Sequence, residues 1–173
     1  MDRLLVATDG SEHAARAVSL AGTLAARFDA EIVLVHVVPH AALSAGEREL
    51  IETEYAHELA ERLRREEPRL DPHSVPASFL DSDAGAAGTI RGLLGERILE
   101  DGEEAARTAG ATRVRRMLAH GDPAHTILAI AEREGADTIV LGSRGLGELR
   151  ALIVGSVSHK VGQLAHTTVI TVR

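Results

Sequence analysis

Three glycines, Gly142, Gly145 and Gly155, with Ser156 directly behind the third, have the types and spacing of an anion cradle. Two residues separate the first pair, and nine separate the second glycine from the third. The series opens at the end of the apolar run Thr138-Ile139-Val140-Leu141 and closes where a helix is expected to begin, near Ser156. Such a helix start aims free N–H groups and a positive dipole end at whatever lies before it, which suits a phosphate. Glycine suits the loop because a Cβ would hold phosphate oxygens off the backbone and disfavour positive φ at the turns. Ser156 and Ser158 read as caps of the helix, and Arg144 is either a solvated loop residue or a cover over the phosphates. The same glycines would serve a plain strand-to-helix turn. The loop is not of the Walker A kind, since no Gly-Lys-Ser/Thr follows four residues after a glycine.

A cradle needs a frame, and the chain reads as alternating strands and helices. Leu4-Leu5-Val6-Ala7 predicts a buried strand, and Thr8-Asp9-Gly10-Ser11 a turn into a helix. Asp9 beside Gly10 fits an Asx-type turn as well as a ligand contact. A helix over about Ser11 to Phe28 presents Ala14, Val18, Ala21, Ala25 and Phe28 on one face. Strand two, Glu31 to Val38, carries Ile32-Val33-Leu34-Val35, continuous enough to be buried on both sides. Strand three, about Thr112 to Ala119, is interrupted by Arg113, Arg115 and Arg116, as suits an edge. Asp122-Pro123 predicts a capped helix start with Ile127, Leu128 and Ala131 inward, and Thr168 to Val172 the last strand.

Between strands two and three the chain is long. Ile51, Tyr55, Leu59 and Leu63 mark one face of a helix over Ser44 to Glu67, which Pro68 ends. Residues Arg69 to Gly88, with Pro72, Pro76, Gly85 and Gly88, read as a loop. A second helical stretch is expected from Ile90 to Ala109, with a kink or restart at Gly102.

These segments together resemble the universal stress protein family, in its ATP-binding branch. The resemblance is carried by Leu4 to Ser11, by Val35-His36-Val37-Val38, by Gly121-Asp122-Pro123, by Ala136 to Gly145 and by Gly155-Ser156-Val157-Ser158. It covers about residues 1 to 40 and 98 to 173, and is loose between them. It implies an α/β fold: a doubly wound, five-stranded parallel sheet of order 3-2-1-4-5, with helices on both faces and an expanded crossover over about 40 to 110. It also implies a nucleotide site built from Ala7, Thr8, Asp9, Val37, Gly142, Arg144, Gly145, Gly155, Ser156, Val157 and Ser158. There the backbone at Val37 would hold adenine, and Asp9 would lie against the ribose or base. Many members carry a proline before the last strand, where this chain has Ala165-His166-Thr167.

Composition narrows the classes. A chain of 173 residues fits one domain spanning 1 to 173. No apolar run approaches the ~18 residues of a membrane span, and no signal-peptide pattern opens the chain, so a cytoplasmic location is expected. A formal charge of −7 and 2% aromatic residues argue against a nucleic-acid surface. No cysteine is present, and the nine histidines have no metal-ligand spacing. No Gly-x-Ser-x-Gly elbow occurs, and no catalytic residue is assigned. The expected function is an ATP-binding stress-response regulator, with or without Mg2+, acting through a dimer or an unidentified protein partner, with at most slow hydrolysis. AMP, ADP or a cyclic nucleotide stand as alternative ligands. The competing reading is an enzyme of a related fold that cleaves ATP between the α and β phosphates. A homodimer is expected through Thr168 to Val172, a strand of high β propensity at a sheet edge.

Overall fold

The structure, a computed structural model, describes residues 1–39, 61, 86–146 and 155–173. Its elements are β1 (Arg3–Ala7), α1 (Glu12–Phe28), β2 (Glu31–Val38), α2 (Ala86–Thr108), β3 (Arg113–His120), α3 (Pro123–Glu134), β4 (Thr138–Gly142), α4 (Ser156–Leu164) and β5 (Thr168–Val172). The five strands form one parallel sheet of order β3-β2-β1-β4-β5. This is the order and the doubly wound α/β class expected from the sequence.

Strand alternation builds two cores. Leu4, Val6, Ile32, Leu34 and Val140 point to one face and meet Ala17, Val18, Ala21 and Ala25 of α1 and Leu99 and Ala106 of α2. Leu5, Val33, Val35, Ile139 and Leu141 point to the other and meet Ile127, Ile130 and Ala131 of α3 and Val161 of α4. Because both faces are covered, the central strands read as continuous apolar runs. Small residues bring helices close: a Cβ on Gly22 would lie 2.6 Å from the Ala106 carbonyl oxygen of α2.

Three sequence expectations change. Phe28 is 54% exposed and not part of the inward face of α1, which ends at Ala25. Helix α2 starts at Ala86, inside the expected loop, and runs without a break through Gly102. A Cβ there would lie 2.9 Å from Leu34 Cδ2, so Gly102 is a seat for the sheet and not a hinge. The expected helix over Ser44 to Glu67 lies outside the described residues, apart from Glu61.

The arginines of β3 do sit on an edge, and they are paired. Arg113 meets Asp29, Arg115 meets Glu31 and Glu134, and Arg116 meets Glu100 and Glu103. The hydrogen bond from Arg115 holds the Glu134 carboxyl below its ordinary range. Repulsion between two copies of this edge is therefore weaker than the bare arginine count suggests.

Candidate functional site

The strand order reverses between β1 and β4: one neighbour of β1 is reached through α1, the other only after three further helices and strands of crossover. In open parallel sheets the crevice beyond the carboxyl ends at such a point is where ligands bind. Here it is bordered by the Thr8–Ser11 turn, the Gly142–Leu146 segment and the start of α4.

The turn after β1 is fixed from three sides. Thr8 N–H donates to the Val35 carbonyl at 2.9 Å, and the Thr8 carbonyl is 2.9 Å from Nδ1 of buried His36. Gly10 has φ +81, a conformation that favours glycine. Ser11 caps α1, accepting from Ala14 N–H at 3.3 Å, and its hydroxyl lies 3.3 Å from the Arg144 carbonyl, to which it donates. The Asp9 carboxylate takes Ser11 N–H at 3.1 Å on Oδ1 and Leu146 N–H at 2.9 Å on Oδ2. The first turn is thus bonded to the glycine loop at two places.

The glycines do different work from one another. A Cβ on Gly142 would lie 2.8 Å from Ala14 N and 2.8 Å from the His13 carbonyl carbon, so this glycine lets α1 close on the end of β4. A Cβ on Gly145 would fall inside contact distance of Asp9 Oδ2. One on Gly155 would lie 3.2 Å from the Ser143 carbonyl oxygen. None of the three has a positive φ. Room for neighbouring protein atoms explains them.

Ser143 was not singled out by sequence reasoning, yet it organises the loop. It is 1% exposed; its N–H donates to the Val172 carbonyl at 2.6 Å, and its carbonyl accepts from Gly155 N–H at 2.6 Å and from the Ser158 hydroxyl at 3.0 Å. Ser158 is buried, and its hydroxyl also approaches the Gly155 carbonyl at 3.0 Å. Its side chain therefore locks the loop, while Ser156 stands exposed at the first position of α4. His36 and Leu146 were likewise unassigned; their roles depend on which strand ends become neighbours, which no local motif encodes.

At the start of α4, Gly155 is the N-cap, and among the described residues no side chain caps the helix. The first intrahelical bond to Gly155 comes from His159 N–H, at 3.0 Å. The N–H groups of Ser156, Val157 and Ser158 precede that ladder and, with the dipole, make an electropositive patch. Arg144 and Gly145 are exposed beside it. Ala7 ends β1 and Val37 lies one residue before the end of β2, both with buried side chains, leaving backbone as what they offer a ligand. Lys160 reaches from α4 to Asp122, the N-cap of α3, at 3.3 Å. The N–H of His125, with Lys160 beyond it, holds the Asp122 carboxyl below its usual range. Among the described residues no group of three or more histidines and carboxylates is placed to hold a metal ion. The arrangement can bind an anion with fixed backbone donors.

Known proteins share this frame. The universal stress protein family model matches residues 1–173. Universal stress protein YxiE of Bacillus subtilis is 34% identical over 99% of both chains. Among solved structures, a universal stress protein in complex with cAMP superimposes with a TM-score of 0.60 at 22% identity, covering 99% of this chain and 96% of that one. The universal stress protein from Archaeoglobus fulgidus in complex with dAMP gives 0.61 at 19% identity, covering 100% and 98%. With the family model spanning every residue and a relative at this identity over its full length, the chain belongs to the universal stress protein family.

Proposed function

We propose that this chain is a nucleotide-binding regulator of the stress response, with ATP in the crevice between the ends of β1 and β4. The observation that carries the reading is the start of α4, which no side chain caps among the described residues, lying where the strand order reverses. Relatives in complex with cAMP and dAMP support an adenine nucleotide. In this reading the phosphates rest on the N–H groups of Ser156, Val157 and Ser158, with Arg144 above them and the backbone at Gly142, Gly145 and Gly155 alongside. Asp9, beside Ala7 and Thr8, lies against the ribose or base, and the backbone at Val37 meets adenine. Mg2+, if it accompanies ATP, rides on the phosphates. Calorimetric titration of the full chain is the test: ATP should bind with a Kd below about 100 μM. Absence of heat from ATP, ADP, AMP and cAMP, each taken to millimolar concentration, would sink the proposal.

Regulation through a dimer completes the reading. Among the described residues β5 is an edge strand that pairs only with β4, and Thr168 and Thr171 are exposed on it. Such an edge pairs antiparallel with its own copy about a two-fold axis. Sedimentation should give a dimer at micromolar concentration, and Ile170→Pro, which removes a ladder donor, should shift it toward monomer. A monomeric wild type refutes the dimer; a dimer indifferent to Ile170→Pro moves the interface elsewhere.

A further inference from the structure

The Asp9 carboxylate has one oxygen on its own turn and the other on the glycine loop, 137 residues away in sequence. The bond to Ser11 N–H is a local Asx turn. The bond to Leu146 N–H is different in kind, because it fixes where the loop lies relative to β1. Gly145 adjoins it, and the space a Cβ would need there is occupied by Asp9 Oδ2. As Gly145 has no positive φ, its lack of a side chain answers to that carboxylate and not to backbone conformation. The Ser11 hydroxyl on the Arg144 carbonyl, at 3.3 Å, ties the same segment from the same turn.

We propose that Asp9 is a positioning residue: it straps the glycine loop to the first turn and so sets the shape of the phosphate cradle, acting on the ligand through Leu146 and Gly145. The inference rests on the nucleotide-binding reading for its consequence, but the strap itself is a property of the free protein. An ionised carboxylate accepting backbone N–H groups makes strong, short bonds, which is what holding a loop in one geometry requires. With the strap in place the Gly142–Leu146 segment is held before the anion arrives, so the cost of ordering that segment does not fall on binding.

Asp9→Asn separates the two bonds. The asparagine oxygen can keep the Asx turn with Ser11, while its amide turns a donor toward the Leu146 donor and breaks the strap. In the ligand-free variant, hydrogen exchange at the Leu146 amide should speed up about tenfold or more, with the strand amides of β1 and β4 unchanged. Affinity for inorganic tripolyphosphate, which has no sugar or base for Asp9 to touch, should fall about tenfold. Unchanged exchange at Leu146 overturns the strap. Loss for adenosine with tripolyphosphate unaffected overturns it too, and makes Asp9 a sugar or base contact only. A double-mutant cycle gives a second check: Gly145→Ala should weaken tripolyphosphate binding about tenfold in the wild type but less than twofold further on an Asp9→Ala background. Additive losses would contradict the strap. A wild type that binds neither tripolyphosphate nor any nucleotide would defeat the nucleotide reading instead, and the Leu146 exchange measurement would still decide this one.

Discussion

Gly142→Val is expected to destabilise the protein by at least about 3 kcal/mol, the upper end of the usual cost of overpacking. Gly142 is the last residue of β4, and its missing Cβ would lie 2.8 Å from both Ala14 N and the His13 carbonyl carbon, and 3.0 Å from His13 Cβ. Two of these three obstacles are main chain in the first turn of α1, which cannot turn aside as a side chain tip can. Relief requires α1 to lift from the sheet, where it buries Ala17, Val18, Ala21 and Ala25. Urea unfolding should show a lower midpoint with an unchanged slope, and thermal unfolding a Tm lower by roughly 6 to 12 °C. Gly162→Ala is the contrasting control: beyond its chain neighbours and the helix's own backbone no atom of the described residues lies within 4 Å of the added Cβ, and the residue is inside α4, so a gain of up to about 1 kcal/mol is expected. A wild-type midpoint for Gly142→Val would mean that α1 and β4 do not meet as described.

Ser156→Asp should reduce ATP affinity at least about tenfold while leaving stability unchanged or slightly raised. Ser156 is exposed at the first position of α4, and among the described residues no side chain caps that helix. An aspartate there complements the helix dipole, worth about 0.3–1 kcal/mol to the fold. The same negative charge occupies the patch that the phosphates need, and repels them. Opposite signs for folding and binding make this a sharper probe than any glycine replacement. Gly142, Gly145 and Gly155 all have protein atoms near their vacant Cβ positions, so bulky side chains there disturb the loop as well as the ligand. Competition between ATP and added salt should follow the same direction, since exposed charge interactions are screened. Equal ATP affinity in Ser156→Asp and wild type would remove the start of α4 from the site.

Much of this frame is legible in the residues. Ile32 to Val35 and Ile139 to Leu141 announce strands buried on both faces because each alternate side chain faces its own core. Arg113, Arg115 and Arg116 place β3 at an edge because three guanidinium groups are tolerated only where they can reach water and acids. The Asp122-Pro123 start is a local matter of one cap and one fixed φ, and the side chain of Asp122 accepts His125 N–H at 3.0 Å. Other features depend on distant partners and were misread or missed. Gly102 looked like a helix break, since only the position of Leu34 shows why a side chain is excluded. Phe28 has the right spacing for the inner face of α1, but the helix ends there, at Asp29 with φ +52, and the ring stays in solvent. Ser158 has the sequence position of a phosphate donor, whereas its hydroxyl turns to Ser143 and Gly155 within the loop. Asp9 reads as an Asx turn and, by resemblance, as a ligand contact; the turn is present, and only the three-dimensional approach of Leu146 shows the second bond its carboxylate makes.

The central claim is that adenine nucleotide binds between the ends of β1 and β4 on the start of α4. Titrating ATP into isotope-labelled protein and following backbone amide resonances tests it most directly. The account predicts that the largest shifts fall on Thr8 to Ser11, on Gly142 to Gly145 and on Ser156 to Ser158, with smaller ones near Val37. An open crevice between α1 and α2, lined by Ser19, Asp101, Glu104, Ala105, Thr108 and Ala109, lies on the far side of α1 and should stay silent. Shifts confined to that crevice, or no shifts at millimolar ATP, would contradict it.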